Sequence, residues 1–209
     1  MQKVIFLDLD GTVTPDSTWL HLNLKLGITA QEDHALFEQY LEHKLEYNNW
    51  TKELFRIHSS RGSITKDELE TFAHDIVLRP DAATMVSDAK TKGWHVVLLS
   101  GSVDLIVSTI AKRIGSDDWR ACSQLVFDES RTLADIVSSG DESNAKISIA
   151  KRYLDEHNLS YENAVAIGDG GNDIELFKKM KGILLGENEK LKPLAWKQVE
   201  NLSEIPNLL

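Results

Sequence analysis

A chain of 209 residues has room for one substantial core, or for a core and a small second unit, since domains run from about 50 to 250 residues. Its composition, 42% hydrophobic and 27% charged, excludes a chain too polar to pack. A net charge of −10 with no basic run argues against nucleic acid as a partner, and no apolar stretch approaches the roughly 20 residues of a membrane span. The start, Met1-Gln2-Lys3 and a few apolar residues, is too short for a signal peptide. Cys122 is the one cysteine, so no internal disulfide forms and a cytoplasmic setting is expected.

In chain order, the first predicted element is Val4-Ile5-Phe6-Leu7, a continuous apolar run that ends in Asp8. Residues 15–78 contain no such run and read as helices. Ser17 can cap a short helix ending at Gly27, Thr29 with Glu32 and Thr65 with Glu68 have capping-box spacing, and a helix from Trp50 to Ser60 stops before Gly62. Arg79-Pro80 marks the return to the main body. Helical patterns follow at 81–92, closed by Gly93, and at 103–114, closed by Gly115. Between them Val96-Val97-Leu98-Leu99 runs into Ser100-Gly101-Ser102. The stretch 124–136 is ambiguous, with Leu125-Val126-Phe127 strand-like and the remainder open to a hairpin arm. A helix at 145–157 precedes the run Ala164-Val165-Ala166-Ile167, which ends in Gly168-Asp169-Gly170-Gly171. A helix at 173–180 follows, and Gly182-Ile183-Leu184-Leu185-Gly186 is a candidate for a further strand. Unalternating apolar runs suit strands covered on both faces, and their alternation with helices predicts an open α/β sheet with ligands beyond the carboxyl ends of the strands.

The polar endings all fall at that edge. On a strand, Asp8 and Asp10 share a face, and two neighbouring carboxylates need a cation, a shared proton or both. Magnesium suits such oxygen ligands, with Asp169 and Asp173 as further acids. Asp-Gly is also a common turn pair. A calcium loop is excluded because its sixth position would be Val13 or Ile174 instead of glycine. A dinucleotide turn at 168–173 is disfavoured because its third glycine would be Asp173. Lys146, near a helix start opened by Ser143 or Asn144, is disfavoured by the helix dipole, a position that makes sense if it balances a phosphoryl group beside Asp8. Ser100 and the Gly101 amide can bond the same group. The seven histidines have no metal-ligand spacing and are expected at the surface.

Together, Asp8-Leu9-Asp10-Gly11-Thr12, Ser100-Gly101, Lys146 and Gly168-Asp169-Gly170-Gly171-Asn172-Asp173 resemble the four motifs of the haloacid dehalogenase superfamily. Their order, with a helical insertion after the first motif, is most similar to the phosphoserine phosphatase-like branch. The resemblance implies a Rossmann-like core, residues 1–14 and 79–209, with a helical cap, residues 15–78. It also implies Mg2+-dependent hydrolysis of a small phosphorylated metabolite through an aspartyl-phosphate. By position, Asp8 is the nucleophile and Asp10 the general acid and then base. The metal falls to Asp8, Asp169 and the backbone carbonyl of Asp10, with Asp173 as ligand or support. Ser100, Gly101, Lys146 and Asn172 hold the phosphoryl group. In the cap, Ser17 stands where phosphoserine phosphatases carry a glutamate, and their arginine falls near Lys52 or Arg56. Ser17, Trp19 and Arg56, with Tyr47, Trp50, Phe55 and Arg61, are the candidates for specificity. A serine offers no charge to an ammonium group, which argues against phosphoserine itself. A phosphotransferase or mutase, and a signalling phosphoacceptor, are the rival functions.

Overall fold

The computed structural model describes residues 3–42, 44–140 and 142–209. Among these, seven strands form one sheet in the order β4-β3-β2-β1-β5-β6-β7. They are β1 (Lys3–Leu7), β2 (Trp94–Val103), β3 (Asp118–Phe127), β4 (Leu133–Ser138), β5 (Ala164–Gly168), β6 (Lys181–Leu185) and β7 (Lys197–Val199). All neighbours are parallel except β3 and β4, which pair antiparallel. The helices are α1 (Thr18–Lys25), α2 (Ala30–Leu41), α3 (Tyr47–Arg61), α4 (Lys66–Asp75), α5 (Ala82–Thr91), α6 (Asp104–Ile114), α7 (Glu142–Glu156) and α8 (Ile174–Lys179).

The central strand shows why its sequence does not alternate. Val4 and Phe6 point into an apolar layer with Val97, Leu99, Ala166 and residues of α7 and α8. Ile5 and Leu7 point the opposite way, to Leu98, Ile167 and the buried sides of α5 and α6. All four are fully or almost fully buried. Each such burial is worth about 1.5–3 kcal/mol, which anchors the strand end against the several kcal/mol that desolvating each acid beyond it costs. β1 lies between β2 and β5, where chain order across the sheet reverses, and a crevice opens at such a switch point.

The insertion between β1 and α5 consists of α1 to α4. Ser17 caps α1 by accepting from Leu20 N, and both capping boxes form, Thr29 with Glu32 and Thr65 with Glu68. Gly27 takes φ +78°, the left-handed conformation glycine tolerates. Along α3, Tyr47, Trp50, Thr51, Leu54 and His58 are buried at helical spacing, and this seam belongs to the apolar layer on the α5 and α6 side of the sheet. The hairpin β3–β4 reaches the insertion: Thr51 Oγ1 and Ser138 Oγ are 3.3 Å apart, and Leu133 N donates to Ile64 O at 2.9 Å.

Several expectations change. The hairpin left open for 124–136 does form; what differs is its start, since the first strand begins at Asp118, which pairs with Val97 of β2. β7, three residues with one buried, had too little apolar pattern to predict. α7 begins at Glu142, ahead of Ser143 and Asn144, so neither opens it; the side chain of Ser143 lies outside what is described. His58 is buried, its Nδ1 2.9 Å from Leu26 O, and is not a surface residue. His43 lies outside the described residues.

Candidate active site

Asp8 follows β1 directly, and its backbone N–H still donates to Ile167 O of β5 at 2.9 Å. Its carboxylate is 2% exposed. Oδ1 accepts from Leu9 N at 2.7 Å and from Lys146 Nζ at 2.6 Å, whereas Oδ2 is buried without a partner. Lys146, fully buried, reaches out of α7 and also donates to Asp173 Oδ1 at 2.8 Å. Two carboxylates at hydrogen-bond distance outweigh the roughly 0.3–1 kcal/mol by which a helix start disfavours a cation.

The 3-10 turn Gly171–Asp173 that leads into α8 places Asp173, while Asp169 stands at the carboxyl end of β5. Asp169 Oδ1 accepts from Thr12 Oγ1 at 2.9 Å, and its backbone carbonyl accepts from Asn188 Nδ2 at 2.9 Å. The close approach explains two glycines. A Cβ on Gly11, which has φ +77°, would lie 2.2 Å from Asp169 Oδ2, and one on Gly168 would lie 2.0 Å from Asp173 Oδ2.

Carboxylate oxygens of Asp8, Asp169 and Asp173 lie within 4.8 Å of one another. Burial, then the neighbouring charge of Asp173, push the Asp8 carboxyl well above its usual range against the pull of Lys146. Burial also raises Asp169, against the Thr12 hydrogen bond. For Lys146, burial opposes the charge, but Asp173 and Asp8 outweigh it and hold the ammonium more firmly than usual. One ammonium against three acids, with a buried carboxylate oxygen left over, is a donor set deficient in positive charge. A divalent, oxygen-seeking cation fits it.

Asp10 departs from the expected geometry. β1 ends at Leu7, so Asp8 and Asp10 do not share a strand face. Asp10, half-buried, accepts from Thr18 N at 2.7 Å and so holds the first residue of α1, and its carboxylate is not among the three that converge. The same helix start meets β2: Thr18 Oγ1 lies 2.7 Å from Ser102 Oγ, and Trp19 Nε1 donates to Gly101 O at 3.4 Å. Ser100 is buried, and its Oγ accepts from Ser102 N at 3.0 Å, which leaves the hydroxyl proton to donate elsewhere. Asn172 lies within the same turn as Asp173, half-buried.

The specificity candidates of the insertion are dispersed. Ser17 is exposed and used as a helix cap. Trp19 packs against Trp50 at 4.9 Å between ring centroids, and Trp50 against Tyr47 at 5.3 Å. Phe55 is half-buried. Arg56 lies on the face of α3 opposite its buried seam, paired with Glu53 at 2.6 Å, and Arg61 pairs with Glu32. Residues that sequence reasoning did not assign also shape the site. Thr12 and Asn188 hold Asp169, and Arg79 Nη2 donates to Gly11 O at 2.9 Å. These contacts span 157, 19 and 68 residues, beyond the reach of local pattern.

Comparison with known proteins agrees with this geometry. Residues 5–178 match the family described as haloacid dehalogenase-like hydrolase. The chain is 25% identical over 182 residues to a phosphoserine phosphatase of Methanocaldococcus jannaschii, covering 85% of this chain and 82% of that one. A 2-hydroxy-3-keto-5-methylthiopentenyl-1-phosphate phosphatase of Brevibacillus brevis is 29% identical over 107 residues, 51% of this chain and 46% of that one. Among solved structures, a substrate-bound phosphoserine phosphatase superposes with a TM-score of 0.78 at 25% identity. It covers 100% of this chain and 99% of the other. A phospho-aspartyl intermediate analogue of phosphoserine phosphatase gives 0.77 at 26% identity, with the same coverage. The chain therefore belongs to the haloacid dehalogenase-like hydrolases, in the phosphoserine phosphatase-like branch, and is a phosphatase.

Proposed function

We propose that the protein is a Mg2+-dependent phosphatase that hydrolyses a small phosphomonoester through an aspartyl-phosphate on Asp8. The observation that carries this reading is the Asp8 carboxylate: one oxygen is held by Lys146 and the Leu9 amide, while the other is buried and unpartnered amid Asp169 and Asp173. Asp8, Asp169 and the Asp10 carbonyl would hold the magnesium, with Asp173 as a ligand or as the group that seats Lys146. When bound, the ion offsets negative charge on the acids and on the phosphoryl oxygens.

In the first half-reaction an Asp8 carboxylate oxygen bonds to phosphorus and the bond from phosphorus to the substrate's ester oxygen breaks. Asp10 gives its proton to that oxygen as the alcohol leaves. In the second, Asp10 takes a proton from water, whose oxygen attacks phosphorus and restores the Asp8 carboxylate. Lys146 opposes the charge on the transferring group. The Ser100 hydroxyl and the Gly101 amide hold its oxygens, and Asn172 supports the turn beside them. The Thr18 N–H against Asp10 links the proton carrier to α1, which supports reading residues 15–78 as a cap on the core formed by residues 1–14 and 79–209.

The substrate is a small metabolite, as the named relatives' are. With Ser17 committed to Leu20 N and carrying no charge, phosphoserine is disfavoured. No helix among the described residues is long and apolar enough to cross a membrane; the cytoplasmic setting is proposed from the sequence's single cysteine, Cys122. The test is phosphate release from a panel of phosphorylated metabolites with Mg2+. Multiple turnovers on one or a few phosphomonoesters are expected. Undiminished turnover in excess EDTA would remove the metal from the scheme, and stoichiometric phosphorylation without release would favour a phosphoacceptor.

A further inference from the structure

Arg79 lies where the chain returns from the insertion to the core, and the reaction scheme above gives its side chain no role. Its backbone N–H donates to Val13 O at 2.8 Å, and its Nη2 donates to Gly11 O at 2.9 Å. Among the described residues no carboxylate pairs with this guanidinium, and its Nε is buried without a partner. A solvated arginine would keep its donors in water or on an acid. Here the side chain leaves one N–H unmatched and reaches a single carbonyl.

That carbonyl belongs to the turn that carries the site. Gly11 is in the left-handed region, packed so closely on Asp169 that a Cβ would lie 2.2 Å from Oδ2. The next residue, Thr12, donates to Asp169 Oδ1 at 2.9 Å. The preceding residue is Asp10, whose carboxylate holds α1. Thr12, Val13 and Thr14 all turn their N–H groups to Leu9 O, so the turn is closed on itself by its own hydrogen bonds. The Arg79 side chain is its brace from outside, and Arg113, which donates to Ile76 O at 2.8 Å, fixes the segment from which Arg79 extends.

We propose that Arg79 is a positioning residue: through Gly11 O it sets the Gly11–Thr12 turn against Asp169, and so sets the orientation of the metal-holding carboxylate and the placement of Asp10. The inference rests on the reading of Asp169 as a metal ligand. Outer partners that orient metal ligands commonly account for about 10- to 100-fold in affinity or activity when removed.

The experiment measures binding of Mg2+ alone to the full-length protein by titration calorimetry, together with kcat and KM for whichever phosphomonoester, p-nitrophenyl phosphate included, is turned over. Arg79→Met keeps the backbone bond to Val13 and removes only the side-chain brace; Arg79→Gln, polar but too short to reach, replaces it if Met does not fold. The expected result is Mg2+ affinity and kcat each lower by about 10- to 100-fold with KM nearly unchanged, and substantial recovery in Arg79→Lys, which retains a donor for Gly11 O. A folded Arg79→Met or Arg79→Gln with wild-type Mg2+ affinity and kcat, or one that loses thermal stability alone, would overturn the proposal. Asp169→Asn is measured alongside. Loss of Mg2+ binding there, with none in the Arg79 variants, refutes Arg79's role and leaves the metal site standing; retention of binding refutes both.

Discussion

Replacing Lys146 by methionine tests how the site is held together. The ammonium is fully buried, 2.6 Å from one carboxylate oxygen and 2.8 Å from another, each on an acid that is itself 2% exposed or less. Removing it strands Asp8 and Asp173 without their cation, and losing one partner of a buried ion pair costs about 3–5 kcal/mol. For a chain of this size about 1 kcal/mol moves Tm by about 2–4 °C, so the variant should melt about 6–20 °C lower in EDTA at pH 8. The loss should shrink on acidification. Burial and Asp173 already raise the Asp8 carboxyl well above its usual range, and Lys146 is what lowers it; without the lysine the folded-state pKa rises further. A group raised in the folded state contributes its stability below the unfolded pKa, near 4, and loses it as pH rises through the folded value. The deficit relative to wild type should therefore be smaller at pH 5 than at pH 8. Turnover should fall about 10²- to 10³-fold, as for the loss of one charge-stabilising donor. Calorimetric melting at the two pH values and a phosphate-release assay suffice. A variant that melts within about 2 °C of wild type at pH 8 and keeps its kcat would refute the electrostatic account.

Other outcomes follow from the same geometry. Protons should compete with Mg2+ above the ordinary carboxylate range near 4, because burial raises both Asp8 and Asp169; Mg2+ titrations should be weaker at pH 5 than at pH 7.5, and equal affinities would contradict this. Gly11→Ala combines a positive φ with a Cβ 2.2 Å from Asp169 Oδ2. It should cost about 1–3 kcal/mol in denaturant melts and weaken Mg2+ binding by at least about tenfold; wild-type affinity would show that the turn does not position Asp169. Arg56→Ala should leave stability within about 0.5 kcal/mol and kcat/KM nearly unchanged, because Arg56 faces away from the α3 seam, paired with Glu53. A large rise in KM would place it in substrate binding.

The core strands were readable because a strand covered on both faces must be apolar throughout, as Val4 to Leu7 are, and the capping boxes because their signal lies within four residues. Lys146 was readable for a different reason: a lysine near a helix start is locally wrong, and local disfavour is what a site leaves in a sequence. Three things were not readable. Asp10 leaves the strand face because β1 ends at Leu7, and strand termination depends on pairing with β2 and β5. Thr12, Arg79 and Asn188 act across long separations and have no periodicity to betray them. His58 is buried because the seam of α3 packs toward Leu26, a matter of helix docking that composition does not encode. The specificity candidates of the insertion stayed open because an aromatic that builds the insertion's own packing and one that meets a ligand carry the same pattern.

The central claim is that phosphorus passes through a covalent bond to Asp8. Rapid acid quench of the protein during turnover with Mg2+, followed by mass analysis of the intact chain and of its peptides, tests it directly. The Asp10→Asn variant, lacking the group proposed to activate water, should accumulate the mass of one phosphoryl group on the peptide containing Asp8, and Asp8→Asn should show neither adduct nor turnover. An Asp8→Asn protein that hydrolyses p-nitrophenyl phosphate at the wild-type rate, or a phosphoryl group found on another residue during turnover, would contradict the account.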